Sequence, residues 1–396
     1  MPTTTLLLDL DDTLLDTNTA EFVPAYFKAL SSALEQVVAP ERMLPALIAG
    51  TQAMQSNLDP SRTLREVFDG TFFSRLGVER AGLQERIDRF YDEEFPALRS
   101  VTRPRPEAAD FVRWAFSAGY RLVIATNPFF PLKAVQHRLN WAGMPVDRFN
   151  FALVSSYENF HFAKESVAYF PELLGQLGWQ PAPAVMVGND LKMDLLPARA
   201  AGLQAFWALE DGLSPEQDLP HGGFAELRAW LEATDPAKLQ PDLETPSAIL
   251  ACMLSTPAVL DTLTRSLPEQ AWECKPVPGE WCLKEILCHL RDVEREVNLV
   301  RLEKILAEQN PFLTAAVSDA WVRERRYAEQ DGRQALRDFT SARMESLELL
   351  QSLQQADWLR PARHAIFGPT SLKEQAGILA GHDRAHIQQV WKTLGR

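Results

Sequence analysis

Short apolar runs alternate with amphipathic helical stretches along the first 240 residues. Residues 4–10 (TLLLDLD) read as a strand, because the apolar run is too brief for a helix and ends in acidic residues. From Glu21 to about Arg99 the spacing turns helical, with four amphipathic segments and little β-branched clustering. Strand-like runs return at 120–127 (YRLVIATN), 151–156 (FALVSS), 184–190 (AVMVGND) and 203–209 (LQAFWAL). Helical patterns at 106–117, 131–142, 166–177 and 192–201 alternate with them. Strands joined by helices of this length predict a parallel sheet with crossover helices, an α/β Rossmann-like domain. The four early helices then form an insertion after the first strand, about 17–103.

A last helix near 223–233 precedes TDPAKLQPDLETP (234–246), whose prolines and charges read as an interdomain linker. Beyond it no run reads as a strand. Helical patterns at 246–267, 281–308, 331–355 and 371–394 predict an all-α four-helix bundle over 247–396.

Composition changes this picture little. The chain is 46% hydrophobic and 23% charged, which is globular and excludes a wholly disordered or fibrous protein. No run approaches the roughly 20 apolar residues of a membrane span, and the first apolar run lacks the basic flank of a secretory signal. The net charge of −13 argues against sequence-independent nucleic-acid binding. The first 240 residues hold 31 of the 53 acidic side chains and 21 of the 40 basic ones, so most of the surplus lies there. Cys252, Cys274, Cys282 and Cys288 match no C-x2-C pattern and read as small core residues of a cytoplasmic protein.

Candidate chemistry gathers at the strand ends. Asp9-Leu10-Asp11-Asp12-Thr13 lies just past the carboxyl end of the first strand, where open α/β sheets bind ligands. Asp9 and Asp11 can share one site, and two close carboxylates need a cation or a shared proton. Other strand ends add Thr126-Asn127, Lys164, and Gly188-Asn189-Asp190 with Asp194. Carboxylates, a hydroxyl and an ammonium at one sheet edge suit phosphoryl transfer. In the bundle, His382 and His386 share a helix face, and His289 on another helix would complete a three-nitrogen metal site with an open position. Glu285 and Asp292 are the expected acceptors for the His289 ring, and Asp383, beside His382, either serves similarly or is exposed. Cys282 lies two turns from His289, about 10.5 Å, too far to share a metal. His137, His161, His221 and His364 fit no constellation.

The motifs D-L-D-D-T (9–13), T-N (126–127), Lys164 and G-N-D-L-K-M-D (188–194) stand in the order of the haloacid dehalogenase (HAD) superfamily, which residues 1–233 resemble. The insertion resembles that superfamily's helical C1 cap. The resemblance implies that Asp9 attacks phosphorus to form an aspartyl-phosphate, and that Asp11 serves as acid and then base. It implies that Thr126, Asn127 and Lys164 hold the phosphoryl oxygens. Mg²⁺ would sit on Asp9, Asp190 and the backbone carbonyl of Asp11, with Asp194 supporting Lys164 or a metal-bound water. A carboxylate at Asp11 favours phosphatases over dehalogenases. One departure is Glu165-Ser166 after Lys164, where relatives typically have proline.

EWCLKEILCHL (280–290) and GHDRAH (381–386) make residues 243–396 similar to the DinB-like (YfiT-like) four-helix metalloproteins. That resemblance implies a divalent metal, Zn²⁺ or Ni²⁺, on His289, His382 and His386. The expected function is a Mg²⁺-dependent hydrolase of a small phosphorylated metabolite, fused to a metal-binding bundle. Two alternatives stay open: a thiol-dependent transferase carried by the bundle, with the HAD-like part setting specificity, or a non-catalytic scaffold. Nucleic acid and membrane are not expected partners, and a homodimer through the bundle is left open. Arg62, Arg65, Arg99 and Phe72-Phe73 are the cap's candidate contacts to a leaving group, though each also reads as packing or surface.

Overall fold

The computed structural model describes residues 3–180, 182–209 and 219–396. The chain divides into two compact units, 1–166 with 181–241, and 167–180 with 242–396.

The first unit is built on a parallel sheet. Strand β1 (Thr5–Leu8) leads into the helical insertion, α1 (Thr19–Leu34), α2 (Pro40–Gln55), α3 (Leu64–Leu76) and α4 (Arg80–Arg89). An antiparallel pairing of Leu15–Asp16 with Arg103–Pro104 joins the two ends of that insertion. The chain continues through α5 (Pro106–Ser117), β2 (Arg121–Ile124), α6 (Leu132–Trp141) and β3 (Leu153–Val154). After α7 (Tyr169–Gln176) come β4 (Ala184–Gly188), β5 (Gln204–Ala208), a two-residue strand β6 (His221–Gly222) and α8 (Phe224–Ala233). The strand order is β3-β2-β1-β4-β5-β6.

All four residues of β1 are buried, as befits a central strand covered on both faces. Its register fixes the site: Leu8 lies opposite Ile124 on one side and Val187 on the other. Asp9, the 125–127 turn and Gly188-Asn189 therefore leave the sheet at the same edge. The cap core is aromatic, with Phe22, Tyr26 and Phe95 packed edge-to-face. Helix α3 starts at a capping box, Thr63 with Glu66, which satisfies two otherwise unpaired N–H groups.

Two boundaries differ from the sequence reading. The expected linker begins inside the first unit: a 3-10 turn, Pro236–Leu239, buries Leu239 in the same core as Leu227 and Leu231. Residues 167–180, expected within the domain 1–233, group instead with the second unit.

In that second unit α7 packs beside α9 (Pro246–Thr264), and a Cβ on Gly175 would lie 2.5 Å from Val259. Gly178 has φ +81° under the ring of Trp391, a conformation and a clearance that glycine alone meets easily. The bundle continues through α10 (Leu283–Val293), a π turn (Glu294–Asn298), α11 (Leu299–Ala307), α12 (Gly332–Gln351) and α13 (Leu372–Thr393). Helix α9 is long and apolar enough, by length and composition, to cross a membrane, which the sequence reading had not counted. It is mostly buried as a core helix of the bundle.

The bundle also carries strands where none was expected: β7 (Phe312–Leu313), β8 (Pro361–His364) and β9 (Gly368–Ser371) form a small mixed sheet. Their short length and their prolines and glycine leave no alternating pattern to read. His364 ends β8, and its Nδ1 accepts the backbone N–H groups of Ile366 (3.1 Å) and Phe367 (3.3 Å), a turn-holding role.

Candidate active site and histidine centre

At the carboxyl edge of the first sheet, Lys164 is the hub. Its Nζ lies 2.6 Å from Asp9 Oδ1 and 2.5 Å from Asp194 Oδ1, with all three side chains buried. Asp194 is positioned by its second oxygen, which accepts the Asp190 backbone N–H at 3.0 Å. Asp190 caps the helical turn Leu191–Leu195, accepting from the N–H groups of Lys192 (2.7 Å) and Met193 (2.9 Å). Each Asp194 oxygen thus has a partner, Lys164 for one and the Asp190 N–H for the other.

Asp9 is a strongly perturbed carboxyl. Burial, then the nearby Asp194, push it up to about 7, against the pull of Lys164. Burial raises Asp194 as well. One ammonium therefore serves two desolvated carboxylates, with Asp11 and Asp190 close by in sequence. An all-oxygen donor set with this excess of negative charge fits a hard divalent cation. Among the described residues these aspartates do not draw three ligand atoms within 4.8 Å of one another, as the three histidines below do.

Asp11 accepts from Thr17 Oγ1 at 2.7 Å, lies 3.5 Å from Thr126 Oγ1, and is ion-paired with Arg138. Asn127 Oδ1 accepts the Lys164 backbone N–H at 3.2 Å, and Asn127 Nδ2 donates to Glu165 at 3.3 Å. Glu165 also receives Gln55 of α2 at 2.9 Å, so the acidic residue standing where relatives typically have proline ties Asn127 to the cap.

Sequence reasoning gave no role to two members of this site. The Thr13 hydroxyl is 2.9 Å from Asp9 Oδ2 and 3.1 Å from Asn189 Oδ1, and can donate to one at a time. Arg138 is buried on the inner face of α6 with Ala134, Val135 and Leu139. Its guanidinium lies over Phe130, 4.5 Å from the ring centroid, with Nε and Nη2 unpartnered among the described residues. A charged residue in an apolar helical stripe was the available signal. Of the cap candidates, Arg62 and Arg99 are exposed and Arg65 lies 3.8 Å from Asp69, whereas Phe72 and Phe73 are buried.

In the bundle, His289 on α10 meets His382 and His386 on α13. Nε2 of His382 is 3.2 Å from that of His289 and 3.0 Å from that of His386. Gln389 Oε1 holds His386 Nδ1 at 2.8 Å, and Trp281 stacks on the His386 ring. The acceptors expected for these rings lie elsewhere. Glu285 takes the Cys282 N–H (2.7 Å) and Lys275, while Asp292 takes Tyr327 (2.6 Å) and Arg325 (2.8 Å). Asp383 pairs with the fully buried Arg343, which also holds Glu294 with two bonds of 2.9 Å. Charged partners distant in sequence outcompete the neighbouring imidazole.

Burial, then the neighbouring rings, push His289 down to about 3; burial is also the main cause that brings His382 and His386 to about 4. Each value lies below the ordinary 6.5, so between the two the unfolded chain binds more protons than the folded one. The stability linked to these rings is complete above about pH 6.5 and is lost as the pH falls toward about 4. Metal-stripped protein is expected to lose thermal stability from about pH 7 to about pH 5, and His289→Gln to flatten that slope. Thermal unfolding across that range checks this, and equal slopes would contradict it.

A DinB superfamily model matches residues 254–390. A phosphoserine phosphatase of Thermus thermophilus is 28% identical over 246 residues, covering 56% of this chain and 96% of that one. Among solved structures, a HAD phosphatase from Thermococcus onnurineus is 19% identical, with a TM-score of 0.39, over 58% of this chain and 98% of that one. YfiT from Bacillus subtilis, a protein of unusual four-helix bundle topology, is 18% identical, with a TM-score of 0.35, over 39% of this chain and 90% of that one. Residues 3–202 match the family model of the haloacid dehalogenase-like hydrolases. That match spans half of the sequence and includes the whole Asp9–Lys164–Asp194 cluster, so the chain belongs to the haloacid dehalogenase-like hydrolases.

Proposed function

We propose that the first unit hydrolyses phosphomonoesters of small metabolites, with Asp9 as nucleophile. The observation that carries this reading is the buried carboxylate of Asp9, held between Lys164 and Thr13 at the sheet edge. Its carboxylate attacks phosphorus, the bond from phosphorus to the alcohol oxygen breaks, and Asp11 gives that oxygen its proton. Asp11 then takes a proton from the water that attacks the aspartyl-phosphate, releasing inorganic phosphate and free Asp9. Lys164, Thr126 and Asn127 offset the charge of the transferring phosphoryl oxygens. Asp9, Asp190 and the Asp11 carbonyl would hold Mg²⁺, which would add positive charge at the same oxygens. The kinship with a phosphoserine phosphatase supports the same reaction class.

Incubating the full chain with a phosphomonoester panel should release phosphate with Mg²⁺ and stop after chelation. No release from any ester with Mg²⁺ present would overturn the reading. Gly188 gives a sharper expectation. A Cβ there would lie 2.1 Å from Asp194 Oδ2, so Gly188→Ala displaces the carboxylate that holds Lys164. A turnover loss of about 100-fold in a folded variant is expected, and unchanged turnover would detach Asp194 from the mechanism.

For the bundle we infer one divalent transition metal, Zn²⁺ or Ni²⁺, held by His289, His382 and His386. Neutral buried imidazoles that converge on one point support it. The metal would supply a Lewis-acid centre. Metal analysis of the full chain should find one equivalent, lost in His382→Ala/His386→Ala; equal content in both would refute the site.

A further inference from the structure

The first unit contains a partly open cavity of about 140 Å³ whose walls are mostly aromatic. Phe27, Phe68, Phe72 and Phe73 come from the cap, while Phe130 and Tyr157 come from the loops that follow β2 and β3. Two sets of polar groups on its wall are turned to one another, and the hydroxyl-bearing Thr51 and Tyr157 also line it. The Tyr26 and Tyr91 hydroxyls share a hydrogen bond of 2.9 Å, and Asp69 is paired with Arg80, which also donates to Gln84 at 2.8 Å. No member of the Asp9–Lys164–Asp194 cluster lines the cavity, and its link to the catalytic edge is Phe130. Phe130 stands on the loop that begins at Thr126-Asn127, and its ring carries the guanidinium of Arg138, which grips Asp11.

Resting on the phosphatase reading above, we propose that this cavity receives the alcohol side of the substrate. The site then takes phosphomonoesters whose alcohol bears one aromatic ring, or an apolar group of that bulk. Size and polarity decide this. An apolar cavity of about 150 Å³ is known to take up benzene, so this one holds a single ring and has no room for two. A small polar alcohol would face aromatic walls with its own hydrogen-bonding groups unsatisfied. The reaction is that already described: the bond from phosphorus to the ester oxygen breaks, and water supplies the proton and hydroxyl of the two products.

The test compares benzyl phosphate with ethyl phosphate and O-phosphoserine on the full chain with Mg²⁺. kcat/KM should favour benzyl phosphate by about tenfold or more over both. Thr51 lines the cavity and has no part in the catalytic cluster. Thr51→Phe fills the cavity and should erase that preference by lowering kcat/KM for benzyl phosphate about tenfold. Should that variant fold poorly by circular dichroism, Phe72→Ala serves instead, and should extend turnover to naphthylmethyl phosphate. Calorimetric binding of benzylphosphonate against methylphosphonate gives a reading independent of turnover, with the same tenfold expectation. Equal kcat/KM for benzyl and ethyl phosphate, in a protein that hydrolyses both, overturns the cavity assignment and leaves the phosphatase reading standing. Failure to hydrolyse any ester sinks the phosphatase reading, and equal binding of the two phosphonates then sinks the cavity assignment too.

Discussion

Asp9→Asn should abolish phosphate release, by about 10³-fold or more, without loosening the fold. The amide has the size of the carboxylate, its oxygen can take the place of one carboxylate oxygen as acceptor, and its N–H can donate to the Thr13 hydroxyl, so packing is kept. It cannot attack phosphorus as a carboxylate does. Stability should move the other way. In the metal-free protein the folded-state value of about 7 exceeds the ordinary 3.8, so the folded chain binds more protons between them. Stability linked to Asp9 is therefore present below about pH 4 and is lost as the pH rises through about 7. Asparagine removes that loss and leaves Lys164 to Asp194 alone. At about pH 8 the variant should be inactive yet at least as heat-stable as the wild type, both without metal. Retained turnover would end the covalent mechanism, and a marked drop in thermal midpoint would contradict the electrostatic reading of the site.

Arg343→Ala should unfold the bundle more readily by about 3–5 kcal/mol. The guanidinium is fully buried between Glu294 and Asp383 and also donates to the Met253 carbonyl at 3.0 Å. Truncation leaves two carboxylates without their cation in a site closed to water. Against the cost of burial, Arg343 first and then Asn298 (3.0 Å) and Ser346 (2.7 Å) hold Glu294 below its ordinary range, whereas burial holds Asp383 above its own despite Arg343 and Thr256 (3.0 Å). Asp383 follows His382 on α13, so the loss should reach the histidine centre. Urea titration of the full chain, read by metal release, measures both effects. An unchanged midpoint would show that the network adds nothing.

The sheet was legible because buried parallel strands such as Leu6–Leu8 and Val185–Val187 read as apolar runs between helices. The edge chemistry followed, since Asp9, Thr126, Lys164 and Asp190 each stand at or after a strand end. Arg138 was not legible, because nothing in the sequence says that its helix turns it toward Asp11. The partners of Glu285, Asp292 and Asp383 failed for a related reason. Neighbours along a helix are visible in sequence, but Lys275, Arg325 and Arg343 come from other segments and hold their carboxylates more strongly than a neutral ring would. Strands β6 to β9 are too short for alternation to show. The helical period of α7 is the same whichever unit it packs in, so sequence alone assigned it to its neighbours in the chain.

That last feature bears on how the protein can be dissected. Helix α7 begins five residues after Lys164, yet it packs with α9, whose first residue is Pro246. A fragment ending at residue 241 would keep α7 and lose α9, leaving the face of α7 around Gly175 without the Val259 surface that it packs against. A fragment starting at 242 would bare the complementary face around Val259. No single cut yields both pieces whole. The boundary between phosphoryl chemistry and the histidine centre is crossed by the chain more than once, and an engineer seeking either part alone must resect or transplant α7 with it.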